Sequence, residues 1–126
     1  LAGLALAVAR VAAGQTPEAA RVMTAVRAEP WAIDGPGRAN TVVIERLGGI
    51  AKLGAEGLVV IGTPEGIAVA VKVLDGSMRA TTPVALALLA AAGGIPTELA
   101  HELIALTSER VLAGDDEVGA LLVSID

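Results

Sequence analysis

The residues of this chain best suited to chemistry fall in one short stretch, Ala51-Lys52-Leu53-Gly54-Ala55-Glu56-Gly57. An ammonium and a carboxylate stand there among apolar residues, with glycines at 54 and 57. Glycine in β-prone sequence weakens a plain strand and leaves room for another group to approach the main chain. The stretch therefore reads in two ways. It is a place where a ligand meets the backbone, or a β-bulge carrying two solvated charges. Other chemistry has little to work with. There is no Cys, and the single His101 cannot build a zinc site alone. His101 lies in a helical, partly polar stretch and reads as a surface or half-buried residue. Ser77, Ser108 and Ser124 have no lysine three residues on, and are expected in turns or at the surface. No metal or other cofactor is expected within these 126 residues.

The elements around this stretch follow from spacing and punctuation. Leu1, Leu4, Val8 and Val11 recur at helical intervals up to Gly14. Thr16-Pro17-Glu18 has the cap, proline and acidic residue of a helix start. Val22, Met23 and Val26 are expected on the buried face of that helix. Trp31 to Arg38 reads as a loop around Asp34-Gly35-Pro36-Gly37, and a short helix follows from about Asn40 to Arg46, closed by Gly48-Gly49. The β-prone runs Leu58–Ile61 and Ile67–Val71 flank Thr63-Pro64-Glu65-Gly66. They predict a hairpin whose first strand starts near Ile50 and whose second ends near Leu74. Thr82-Pro83 and Thr97 open two further helices, and Gly114-Asp115-Asp116 turns into a predicted strand over Val118–Ile125. The order is that of an α+β fold, an antiparallel sheet flanked by helices.

Composition narrows the partners. Apolar residues make up 54% of the 126 residues, yet there is one Trp and no Phe or Tyr. The core must be filled by aliphatic side chains, each burying little area. Nine Lys and Arg against fourteen Asp and Glu give a net charge of −5 with no basic cluster, which excludes a nucleic-acid surface. The apolar run Leu1 to Ala13 has no basic leader, is broken by Arg10 and is too short to span a bilayer. A cytoplasmic protein with no membrane partner is expected. The first residue is Leu rather than Met, and the chain reads as part of a longer one.

Four segments occur in a telling order: Asp34-Gly35-Pro36-Gly37-Arg38, Lys52-Leu53-Gly54-Ala55-Glu56-Gly57, Val71-Lys72-Val73-Leu74-Asp75-Gly76 and Arg79-Ala80. The series resembles the C-terminal part of the asparaginase II family, a group related in fold to serine β-lactamases and glutaminases. The resemblance covers nearly the whole chain and implies that residues 1–126 are the C-terminal piece of one such domain. It also implies a reaction. A serine outside these residues attacks the side-chain amide of asparagine, ammonia leaves, and water releases aspartate from the acyl-enzyme.

In that scheme Lys52 borders the active site, organising protons or binding the substrate carboxylate. The amide of Ala55 is the second oxyanion donor, and Gly54 keeps the approach open. Glu56 holds the substrate ammonium or pairs with a neighbouring lysine. Lys72, Asp75 and Arg79 read as a charge network steadying a turn. The chain differs from the pattern at two positions. Leu53 stands where related serine hydrolases carry a hydroxyl, and Asn40 where the family usually has Asp. The partner implied is asparagine, and a homo-oligomer is compatible with the sequence. Competing readings are a fragment of a glutaminase or β-lactamase-like hydrolase, and a non-catalytic α+β interaction domain.

Overall fold

The computed structural model describes residues 1–125. The first helix, α1 (Ala2–Ala12), turns its Val8, Val11 and Ala12 inward and leaves Leu1, Leu4 and Leu6 exposed. Helix α2 (Pro17–Ala28) begins as its sequence demands. Thr16 is extended and its Oγ1 accepts the Ala19 amide at 3.2 Å, with Pro17 in the first turn. The buried stripe is Ala19, Met23 and Val26. Val22, expected on that face, is exposed at its flank. The predicted loop after Pro30 contains one helical turn, α3 (Trp31–Asp34), ended at Gly35 with φ +105°. Proline's fixed φ starts that turn, and glycine's freedom stops it. Helix α4 (Ala39–Leu47) then buries Asn40, Val43 and Ile44 at helical spacing, and Gly48 closes it in the left-handed region.

The sheet departs from the predicted hairpin. It is a meander of three antiparallel strands, β1 (Ile50–Gly54), β2 (Leu58–Gly62) and β3 (Ala68–Lys72), in the order β1-β2-β3. The extra reversal is the turn Ala55-Glu56-Gly57, where φ is +60° at Glu56 and +75° at Gly57. Ala55 is thus in the turn and not on the strand. Pairing runs unbroken from Ile50↔Gly62 to Gly54↔Leu58, so the bulge reading of this stretch does not hold.

The two faces of the sheet have different covers. Val8 and Ala12 of α1 lie where a Cβ on Gly62 would project, which puts α1 on the face shared by Ile50, Lys52, Val60 and Ala70. The opposite face carries Ala51, Val59, Ile61 and Val71 into the main core. There they meet Val43 and Ile44 of α4, Leu86 and Leu89 of α5 (Thr81–Ala91), and Leu103 of α6 (Thr97–Thr107). The buried core is entirely non-aromatic, and Trp31 is exposed.

Two later expectations need correction. Thr82 is not the cap of α5. Ala80 holds that position, and Thr82 is buried within the first turn, because Thr81 has already bonded back to Met78 by both its amide and its hydroxyl. The predicted strand over Val118–Ile125 reaches only Gly119. Gly114-Asp115 folds β5 (Asp116–Gly119) back on β4 (Val111–Ala113), and residues 120–125 carry no regular structure. Leu121 and Val123 instead border a groove beside α5 and α6. Six helices with these two antiparallel sheets make the described chain α+β. No helix among the described residues is long and apolar enough to cross a membrane.

Candidate functional site

The main-chain groups of β1 can be assigned to its two edges from hydrogen bonds elsewhere in the sheet. Thr63 donates to Ile67 at 2.8 Å, and Val73 donates to Gly57 at 2.8 Å. Those pairs fix the alternation in β2: the groups of residues 57, 59, 61 and 63 face β3, and those of 58, 60 and 62 face β1. The partners of the latter are Gly54, Lys52 and Ile50. It follows that the N–H and C=O groups of Ala51 and Leu53 point away from β2, at the free edge of β1.

Lys52 reaches the same edge by another route. Its side chain is exposed, and its Nζ donates to the outward carbonyl of Leu53 at 2.5 Å. No ion pair holds it among the described residues. An unpaired ammonium at the end of a flexible stem is free to meet an anionic or proton-bearing group.

The turn that carries Ala55 is held from one side by the segment after β3. The ammonium of Lys72 donates to the carbonyl of Glu56. Gly57 accepts from the Val73 amide, and its own N–H donates to the Met78 sulfur at 3.1 Å. Gly57 has no substitute here. A Cβ would lie 2.9 Å from the carbonyl carbon of Gly76 and 3.0 Å from the carbonyl oxygens of Ser77 and Val73. At Gly54 the missing Cβ is filled differently, by the side chain of Leu58 directly across the strand pair. The Glu56 side chain is exposed and forms no ion pair among the described residues; the Lys72 contact is to its backbone.

Lys72, Asp75 and Arg79 do not form one network. Asp75 accepts the Ser77 amide at 2.8 Å, and Arg79 meets Glu109 at 3.6 Å. His101 is exposed, as expected. Among the described residues no group of His, Cys, Asp and Glu could hold a metal ion.

Beside the turn, on the face opposite Lys52, lies a hollow of about 270 Å³. Asp34 and Arg38 line it from the α3–α4 loop, Leu53 from β1, Met78 from the loop before α5, and Thr107 and Glu109 from the end of α6. Two of the four sequence segments singled out above therefore line this hollow, a third holds the adjoining turn through Lys72 and Val73, and Met78 directly precedes the fourth. The loop is internally braced. Arg38 approaches Asp34 at 3.9 Å, Asp34 accepts the Asn40 amide at 3.2 Å, and the Thr41 hydroxyl donates to Gly35 at 2.7 Å. Asn40 is 1% exposed, and neither its side-chain oxygen nor its nitrogen has a partner among the described residues.

Leu53 and Met78 give this hollow an apolar wall that spacing alone did not reveal. A larger groove, about 490 Å³, runs between α5, α6 and residues 121–125, away from the β1 edge. It holds His101 but none of the residues with chemistry in the β1 stretch. The family model described as L-asparaginase II matches residues 1–123. No curated protein matches the chain.

Proposed function

The chain belongs to the L-asparaginase II family, and from that premise we propose that it supplies one wall of the active site of a cytoplasmic L-asparaginase. The reaction is hydrolysis of the asparagine side-chain amide through a serine acyl-enzyme, within a serine β-lactamase-like architecture. The serine and its base come from a Ser-x-x-Lys pair, which residues 1–126 do not contain. By themselves, these residues should release no ammonia from asparagine or glutamine.

The observation that carries the reading is the free edge of β1. A carbonyl oxygen that gains negative charge needs donors already aimed at it. Ala55 follows directly on this edge as the first residue of the turn, it is exposed, and its small side chain leaves its N–H approachable. Lys52 brings a cation to that edge. There it lowers the energy of the developing oxyanion or of the substrate carboxylate, and helps move the proton that the leaving ammonia must take. Gly54 lets Leu58 close the strand pair, so that no side chain at 54 rises beside the reacting group. Leu53 offers no hydroxyl for the substrate carboxylate, which leaves Lys52 as the recognising cation and Glu56 as the acceptor for the substrate ammonium.

Ammonia release by the full-length protein tests the assignment. Lys52→Ala should lower kcat/KM by about 10²-fold or more, the order expected for a lost transition-state donor or proton-transfer group. Lys72→Ala, which loses only a bond to the turn backbone, should have a far smaller effect. Equal losses in the two variants would remove Lys52 from the reaction.

A further inference from the structure

The chain has two methionines in opposite settings. Met23 is 2% exposed in the core under α2, while Met78 is 38% exposed. Met78 also has two attachments. Its carbonyl accepts the amide and hydroxyl of Thr81 at the start of α5, and its sulfur accepts the N–H of Gly57. Gly57 itself cannot shift freely, since backbone of residues 73, 76 and 77 surrounds it.

We propose that Met78 is an oxidation site, and that its conversion to the sulfoxide releases the Ala55-Glu56-Gly57 turn. The oxidant is hydrogen peroxide. The thioether sulfur attacks one peroxide oxygen, the O–O bond breaks, an S–O bond forms, and the second oxygen leaves as water. The sulfur is oxidised and the peroxide reduced, with no further reactant. Oxidation makes a flexible apolar side chain polar. Two consequences follow from its position. The new oxygen is strongly hydrated and draws the exposed Met78 side chain toward water, so the Gly57 N–H loses its acceptor and the turn loses one of its ties to the segment after β3. The apolar wall that Met78 shares with Leu53 also becomes polar. Both changes bear on the turn that presents Ala55.

Peroxide titration of the chain, followed by peptide mass spectrometry and amide NMR, tests this. Met78 should oxidise at least about tenfold faster than Met23. As Met78 sulfoxide accumulates, the Gly57 amide resonance should shift, and amide exchange at residues 55–57 should rise by about tenfold. A methionine sulfoxide reductase should reverse both. Met78→Leu keeps the volume and lacks the sulfur, so peroxide should leave its Gly57 amide unchanged. Comparable oxidation of Met23 would overturn the proposal, and so would complete Met78 oxidation with an unmoved Gly57 amide. These measurements need no catalysis; only the effect on turnover rests on the function proposed above. A shifted Gly57 amide with unaltered ammonia release from the full-length protein would support the oxidation site and count against Ala55 as an oxyanion donor.

Discussion

Replacing Gly57 by Ala separates the geometry of the turn from the general cost of a left-handed residue. Gly57 and Gly37 have similar backbones, with φ +75° and +68°. A Cβ at Gly37 would meet nothing within 4 Å, whereas at Gly57 it would press on three backbone atoms at 2.9–3.0 Å. The left-handed conformation costs an L-residue about 1–2 kcal/mol, and the less flexible unfolded chain returns about 0.4–1 kcal/mol of it. Gly37→Ala should therefore lose at most about 1.5 kcal/mol. At Gly57 the obstructing atoms are main chain and cannot rotate aside. The crowding adds about 1–3 kcal/mol, which brings the expected total to about 1–4.5 kcal/mol. For 126 residues, 1 kcal/mol corresponds to roughly 4 °C in Tm. Thermal melting should then show a fall about 4–12 °C larger for Gly57→Ala than for Gly37→Ala, which itself should lose under about 6 °C. Equal shifts in the two variants would mean that the 73–77 backbone does not enclose Gly57, and the clamp on the turn would be refuted.

Asn40→Leu replaces a buried amide with no partner among the described residues by an apolar side chain of similar size, and should raise stability by about 1–3 kcal/mol in urea unfolding; a loss would show that the amide is satisfied by a bound group. Thr16→Ala removes the side-chain acceptor at the start of α2 and should lower stability by about 1 kcal/mol, with no change expected if the Ala19 amide is already served by water. The apolar side chains of Leu1, Leu4 and Leu6 exposed on α1 should make the chain associate with itself in sedimentation experiments. Leu6→Lys should shift it toward monomer, and a clean monomer with the native sequence would show that this surface is inert.

What could be read from the sequence, and what could not, divides by range. Helix starts and stops are local chemistry. Thr16-Pro17 and Gly48 each act on backbone within one turn, and each lies where its type requires. The missed reversal at 55–57 has a different cause. Left-handed turn positions are signalled by Asn, Asp or Gly, and Glu56 is none of these. Its φ of +60° is imposed by its surroundings, in which Lys72 and Met78 hold the turn from across the sheet. The overestimate of the last strand is also nonlocal. Val118–Ile125 has the composition of a strand, but among the described residues no strand pairs with 120–125.

The candidate site follows the same rule. Lys52 and Gly54 could be found because an unusual residue pairing in β-prone sequence is visible in one dimension. Leu53 is marked only by the hydroxyl it lacks, and Met78 not at all: nothing in Ser77-Met78-Arg79 singles it out, and its contact with Gly57 spans 21 positions. The alternation of the strand links the two kinds of residue. Because side chains and main-chain groups change sides with each step, Lys52 lies on the α1 face while Leu53 turns to the hollow. The main chain of Leu53 and the side chain of Lys52 nevertheless meet at the free edge. A shift of one residue in the β1–β2 register would send the outward groups of Ala51 and Leu53 into the sheet and bury the lysine. The unbroken pairing from Ile50 to Gly54 is therefore what keeps the outward groups of Ala51 and Leu53 at the edge and the lysine exposed.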